Sequence, residues 1–165
     1  MSTTTDRLKL PFLEVAQGQK EMTHNEALVL LDIAVQPVVQ SIAPPDIPPA
    51  PMAGQCWIIG ATPTGEWAGR SGSLAAWTDG GWRFVLPFEG MTVWSIADNL
   101  TARRSGSVWV IGNVVAKALI IDGQQIAGAR RPAIPAPSGG ITIDLQARNS
   151  LIAILDTLVS HGLIS

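Results

Sequence analysis

Residues 56–94 read CWIIGATPTGEWAGRSGSLAAWTDGGWRFVLPFEGMTVW and hold five of the chain's six tryptophans: Trp57, Trp67, Trp77, Trp82 and Trp94. Glycines and turn pairs cut this stretch into short apolar runs. Residues 55–59 run to Gly60. Residues 73–78 and 82–86 lie on either side of Asp79-Gly80-Gly81, and residues 91–97 end at Asp98-Asn99. Asp-Gly between two apolar runs is a strong hairpin signal, because a tight turn needs residues that tolerate unusual backbone angles. Short strands at this spacing predict a small antiparallel sheet or barrel. The expected fold class is α+β, with this β-unit flanked by an N-terminal helix and a C-terminal helix.

Working outward, residues 107–111 follow Gly106 and are expected to pair back onto 91–97. Residues 113–129 read as one more hairpin. Val114, Val115 and 118–121 lead into Asp122-Gly123, and the return strand turns Ile126 inward. On the other side, residues 43–53 (APPDIPPAPMA) contain five prolines, which rule out helix and favour polyproline II. This segment is expected to be a stiff connector of about 3 Å per residue; as a ligand for a proline-binding domain it has a second, rarer reading.

Before it, residues 14–40 turn helical. Thr23-His24-Asn25-Glu26 fits the capping box, and Ala27, Leu28, Leu30, Leu31, Ala34 and Val35 form the apolar stripe. Residues 17–21 are a short preceding helix or part of the same one. Helix gives way near Pro37, with Val38 and Val39 extended. Residues 1–6 are polar, and are expected to be disordered or paired with a neighbour. In RLKLPFL (residues 7–13), Leu8, Leu10 and Phe12 alternate with Arg7, Lys9 and Pro11, so an extended arm laid on its own subunit or on a partner is expected.

The chain closes with a helix that Thr142 or Asp144 caps and that Gly162 ends. Leu145, Leu151, Ile152, Ile154, Leu155, Leu158 and Val159 give it an apolar stripe wider than docking on one small sheet requires. Leu151, Ile154, Leu155 and Leu158 are the expected oligomer interface. His161 reads as a helix-end residue, favourable with the dipole. The expected segments are 1–42 (arm and helix), 43–53 (Pro-rich linker), 54–112 (Trp-rich antiparallel unit), 113–141 (hairpin and Pro-rich loop) and 142–165 (C-terminal helix).

Composition narrows the function. Only 15 % of 165 residues are charged, the net charge is −2, and 47 % are apolar. There is no basic footprint for nucleic acid and no polybasic membrane patch, and no apolar run is long enough to span a bilayer. The opening residues show no signal-peptide pattern, so synthesis in the cytoplasm is expected. So little charge fits either a soluble globular domain or a chain that hides much of its surface in an assembly.

Chemistry is sparse. Phosphate-loop, dinucleotide, nucleophile-elbow and paired-cysteine motifs are missing, so no cofactor or metal is expected, nor any catalytic residue. Cys56, the single cysteine, reads as a small buried apolar residue rather than a nucleophile, since no histidine is near it in sequence. His24 lacks a metal-binding partner at helical spacing and reads as a first-turn residue with a local hydrogen bond. Arg130-Arg131 is the right chemistry for a bidentate carboxylate or phosphate contact, and is more commonly a solvated loop or a subunit contact. Glu66, Asp79 and Glu89 are candidates for a glycosidase carboxylate pair, with nothing in their spacing to favour it over loop acids.

The tryptophans are open to two readings. As core they bury large areas. As a site, Trp67, Trp77 and Trp82, with Asp79 and Arg83 as polar neighbours, would stack and hydrogen-bond a sugar. Trp67, in a Gly-rich loop, is the expected exposed one.

The segments RLKLPFLEVAQGQKEMTHNEALVLLD, GQCWIIG, GEWAG and LAAWTDGGWRFVLPFEGMTVW together resemble the family called domain of unknown function 2793. The resemblance covers residues 7–109, and the ending GARRPAIPAPSGG…ITIDLQARNSLIAILDTLVSHGLI is similar to that of its members. Members are encoded in alphaproteobacterial prophages and gene transfer agents, among tail-fibre and head-spike genes. The resemblance implies a virion-associated structural protein with no catalytic residues and suggests a homotrimer; beside it, attachment to other virion proteins through the N-terminal arm is expected. This chain departs from the pattern in being short, which leaves adaptor, tip or both open. Two other classes stand beside this one: a carbohydrate-binding module for host surface polysaccharide, and a glycan-cleaving enzyme.

Overall fold

The computed structural model describes residues 3–13, 20–142 and 144–165. The chain divides into two units, Met1–Asn113 and Val114–Ser165. The first contains α1 (Lys20–Ala34), β1 (Val38–Val39), β2 (Cys56–Ile58), a 3₁₀ turn at Gly65–Trp67, and β3 (Leu74–Thr78), β4 (Gly81–Val85), β5 (Thr92–Ser95), β6 (Leu100–Ser105) and β7 (Val108–Ile111). The second contains the hairpin β8 (Leu119–Ile121) and β9 (Gln124–Ala127), then α2 (Leu145–Ser160). The fold is α+β with antiparallel sheets, as the turn spacing implies. The sheets have the orders β1-β5-β6-β7, β2-β3-β4 and β8-β9, and none closes into a barrel among the described residues.

The Asp79-Gly80 hairpin forms as read, with Trp77 opposite Trp82 and Thr78 opposite Gly81. The Thr78 hydroxyl donates to the Gly81 carbonyl at 2.7 Å and accepts from the Gly80 N–H, fastening the turn from inside. The second sheet departs from expectation. Residues 107–111 do not return onto β5. The strand β6 lies between them, paired with β5 on one side and β7 on the other. Its sequence, LTARRS, lacks an apolar alternation and becomes a strand through pairing on both edges, a tertiary effect. The fourth member, β1, joins in parallel, Val38 opposite Trp94.

Period-two alternation sorts the side chains of β2-β3-β4 onto two faces. One carries Cys56, Ile58, Leu74 and Ala76, which join Ile33 of α1, Val39, Val93 and Ala102 of the other sheet, and Met91 just before β5 in the main core. The other carries Trp57, Ile59 and Ala75, closed over by Trp67 and flanked by Ile47, Trp77, Trp82 and Phe84. The proline segment is therefore no free spacer. Ile47 packs on the indoles, the Ala43 N–H donates to Ile58, and the Met52 N–H donates to the Gln55 side chain.

The N-terminal helix differs from its reading in its cap and its buried face. Thr23 and Glu26 lie within α1, so they do not cap it, and His24 is an exposed residue beyond the first turn. Residues 14–19, read as helical, lie outside the described residues. Asn25 exchanges two hydrogen bonds with the backbone of Leu13, and Glu26 accepts from Arg83 on β4. The face turned to the core is Val29, Ile33 and, from the expected stripe, Ala34, while Leu30, Leu31 and Val35 of that stripe are exposed.

The arm is not extended. Thr4 bridges Pro11, the Thr5 N–H reaches the Leu10 carbonyl and the Phe12 N–H reaches Thr3, so it doubles back on itself. It is fastened to its own subunit by Asp32, a buried carboxylate accepting from the Thr5 hydroxyl and from the N–H groups of Arg7 and Leu8. Arg7 donates in return to the carbonyls of Asp32, Ile33 and Gln36. These belong to the last turn of α1 and the residues just after it, where a cation is favoured and the helix supplies none of its own.

In the second unit, Asp122 and Gly123 both have positive φ, as a two-residue type I′ turn requires. Asp144 is the cap of α2 and accepts from the Ala147 N–H at 2.9 Å. At the other end His161 is the C-cap, Gly162 has φ +70°, its N–H donates to Val159, and that of Leu163 donates to Leu158. This is the Schellman arrangement. Ile126 is exposed rather than inward.

Candidate functional site

The structure divides the five residues expected to bind sugar. Trp67 is 3 % exposed, which overturns its assignment as the exposed indole. It lies edge-on against Trp82 with centroids 5.1 Å apart. Trp82 makes two more edge contacts, with Trp57 at 5.6 Å and Trp77 at 5.1 Å. These four indoles form a packing unit whose edge-to-face geometry suits the ring quadrupoles. The Trp67 Nε1–H is buried with no hydrogen-bond partner among the described residues. Trp67→Phe therefore keeps most of the packing and discards an unsatisfied donor. It is expected to cost less than about 1.5 kcal/mol in urea unfolding, well short of the 3–5 kcal/mol typical of emptying a large aromatic site.

Arg83 points to the opposite face of the sheet from Trp82. Its Nε lies 2.8 and 3.1 Å from the Glu26 carboxylate oxygens, joining β4 to α1. Asp79 is exposed at the hairpin turn. Trp77 and Trp82 thus remain together and Arg83 turns to the other face, though Trp77, Asp79 and Arg83 all contribute to the lining of one cavity. The three acids considered for hydrolysis sit on separate loops: Glu66 in the 3₁₀ turn, Asp79 at the β3–β4 turn, and Glu89 accepting from the Gly106 N–H beside Arg103. Arg130 donates its Nε to the Ile164 carbonyl and Arg131 pairs its backbone with Leu163 and Ser165, so this pair fixes the chain end.

The exposed indole is Trp94, at 42 %. It stands on the outer face of β1-β5-β6-β7, opposite Thr101 and Val38, with the Thr92–Arg103 pair alongside. Sequence reasoning passed over it because residues 91–96 place apolar groups at both parities. Met91 and Val93 are buried, whereas Trp94 and Ile96 are not.

Cys56 is wholly buried in the main core, and its thiol is pushed up to about 11 by burial. It is therefore neutral at physiological pH and shielded. Ellman's reagent at pH 8 is expected to leave the native chain unmodified and to titrate one thiol in denaturant.

A cavity of about 840 Å³ lies between the arm, α1 and the β3–β4 hairpin. Asp6, Glu21 and Asp79 line it, with Phe12, Met22 and Val29 among its apolar walls. The Asp6 carboxyl is raised above its ordinary value, first by burial and then by the nearby Asp79 and Asp32 charges, with Lys9 opposing.

In the second unit, the expected interface is open. Leu151 and Ile154 are 50 % and 55 % exposed, and Leu155 and Leu158 are half-buried. Ile152, Val159 and Leu145 of α2, and Leu119, Ile120, Ile121 and Ile126 of the hairpin, are exposed as well. Ile164 is the buried hydrophobic of this unit among its described residues.

A family model described as "Protein of unknown function (DUF2793)" matches residues 24–110. That span covers most of α1, both sheets of the first unit except the last residue of β7, and all six tryptophans. No curated protein matches the chain.

Proposed function

This chain belongs to the DUF2793 family, and on that premise we propose that it is a structural and adhesive component of a phage-like particle, a tail fibre or head spike, whose copies associate through the C-terminal unit. The particle setting rests on the resemblance to prophage and gene-transfer-agent proteins. The association rests on one observation: residues 114–165 bury Ile164 and leave the apolar sides of hairpin and helix in solvent. A two-stranded hairpin is marginal by itself, and about 50 residues with so little core need a partner to complete them.

A second copy is that partner. At about 100° per residue, Ala147, Leu151, Ile154 and Leu158 fall on one seam of α2, with Leu155, Ile152, Val159 and Leu145 beside it. Taken as a heptad, leucine stands at a (Leu151, Leu158) and isoleucine at one d (Ile154), a combination that favours three or four strands over two. The homotrimer is the form proposed. The arm's attachment to another particle protein would use Leu8 and Leu13, which remain exposed while Thr5 and Arg7 hold its own subunit. The proposal assigns no reaction to the chain. Sedimentation equilibrium of the full chain at micromolar concentration is expected to give a trimer; a monomer overturns the association.

A second reading, adhesion to host surface polysaccharide, is supported by Trp94, a flat apolar ring among Thr92, Thr101 and Arg103. Loss of binding to cell-surface glycan in Trp94→Ala, with Trp67→Phe unaffected, is the result it requires.

A further inference from the structure

We infer that the cavity between the N-terminal arm, α1 and the β3–β4 hairpin binds a ligand carrying an ammonium or guanidinium group on an apolar stem. The cavity's volume, about 840 Å³, lies in the range of small-molecule and side-chain sites. Four carboxylates line it, Asp6, Glu21, Asp32 and Asp79; Asp32 is spent on the arm, and none of the other three forms an ion pair among the described residues.

The cations around it are committed elsewhere. Arg7 spends its guanidinium on the carbonyls of Asp32, Ile33 and Gln36. Arg83 is held by Glu26 and by the carbonyls of Gly80 and Trp82. Lys9 donates to the Asp6 carbonyl. Asp6, Glu21 and Asp79 therefore face the cavity with unspent acceptor capacity. One of these acceptors is shielded from water: Oε2 of Glu21 is buried and has no hydrogen-bond partner among the described residues. A buried acceptor of this kind is costly until a donor reaches it. A turn of the Glu21 side chain toward an incoming N–H group satisfies it, while Phe12 and Met22 cover an aliphatic stem. A carboxylate or phosphate ligand meets four carboxylates against two guanidinium groups, Arg7 and Arg83, that are already spent on other partners, and a neutral apolar one leaves the Glu21 oxygen unpaired.

The test uses the full chain, with the Met22 methyl resonance as reporter. Hexylammonium and Nα-acetyl-lysine methylamide are the cationic probes; hexanol and hexanoate are the neutral and anionic controls. The cations are expected to shift the Met22 methyl saturably, and the controls are not. Binding of hexylammonium is expected to weaken by about tenfold or more in Asp79→Asn/Glu21→Gln, consistent with loss of charge-assisted hydrogen bonds. Asn-Gly preserves the hairpin turn, and an unchanged melting temperature certifies the variant's fold. Binding of the lysine derivative as well as the free amine identifies a partner's side chain as the source; binding of the free amine alone identifies a small amine. Equal binding of hexanol and hexylammonium, no Met22 shift with either cation, or undiminished affinity in the double variant overturns the inference.

Discussion

Leu151→Asp/Ile154→Asp is expected to convert the assembled protein to monomers, raising the dissociation constant by about 1,000-fold or more. Both side chains are half-exposed on the seam of α2. In an assembly of copies they meet each other, and each aspartate would then bring an unpaired carboxylate into an apolar interface. Roughly 2 kcal/mol for each is a low figure for a buried unpaired charge, and two of them give about three decades at about 1.4 kcal/mol per decade. A 16-residue helix is marginal in isolation, so α2 is expected to lose helicity once released. The first unit supplies the internal control. All six tryptophans lie in it, so unchanged fluorescence shows its sheets intact. Asn149→Asp/Ser160→Asp adds the same charges on the polar side of α2, and is expected to leave the sedimentation coefficient alone. Sedimentation of Leu151→Asp/Ile154→Asp identical to that of the parent removes α2 from the interface.

This expectation was open to a reader of the sequence because the signals in that unit are local. The Asp144 cap, the Gly162 stop and the Asp122-Gly123 turn each act within a few residues, and the breadth of the α2 stripe follows from residue order alone. The β3–β4 hairpin was legible for the same reason. What stayed hidden depends on partners far along the chain. The strand β6 carries Arg103-Arg104 and becomes a strand through its neighbours. Glu26 fits a local cap by its spacing, yet its carboxylate goes to Arg83, 57 residues away. Trp67 looks like a loop aromatic, but its environment is made by Trp82 and Ile47, brought over it by the sheet and the proline segment. A glycine-rich flank signals an irregular backbone and carries no information about burial. The candidate cavity was half visible: Asp79 was singled out in its hairpin turn, but Asp6 and Glu21 face it only after the arm folds back. Trp94 shows the remaining ambiguity, since an alternating run with apolar groups at both parities does not say which face meets the core.

The residue that holds the arm was never singled out in the sequence, and its removal is expected to be the most damaging single change in the first unit. Asp32 is buried, and its carboxylate accepts from the Thr5 hydroxyl and the Arg7 N–H, each at 2.9 Å, and from the Leu8 N–H. Asp32→Ala takes away all three acceptor contacts at once and strands the donors where water has little access. Breaking a buried charged network by removing one partner costs about 3–5 kcal/mol, a large share of the stability of a domain this size. Part of that is recovered if the arm simply leaves, because its groups then meet solvent. The sharper readout is therefore amide exchange: the Arg7 and Leu8 N–H groups are expected to lose their protection in Asp32→Ala, while those of β3 retain theirs. Arg7→Ala tests the other half of the clamp. It leaves the Asp32 carboxylate with all three donors, the Thr5 hydroxyl and the backbone N–H groups of residues 7 and 8, and removes only the guanidinium at the C-terminal end of α1, for which about 1 kcal/mol is expected. If Asp32→Ala and Arg7→Ala prove equally mild, and the Leu8 amide remains protected in both, the arm is held by its backbone pairing alone. Asp32 would then not be what fixes it to α1.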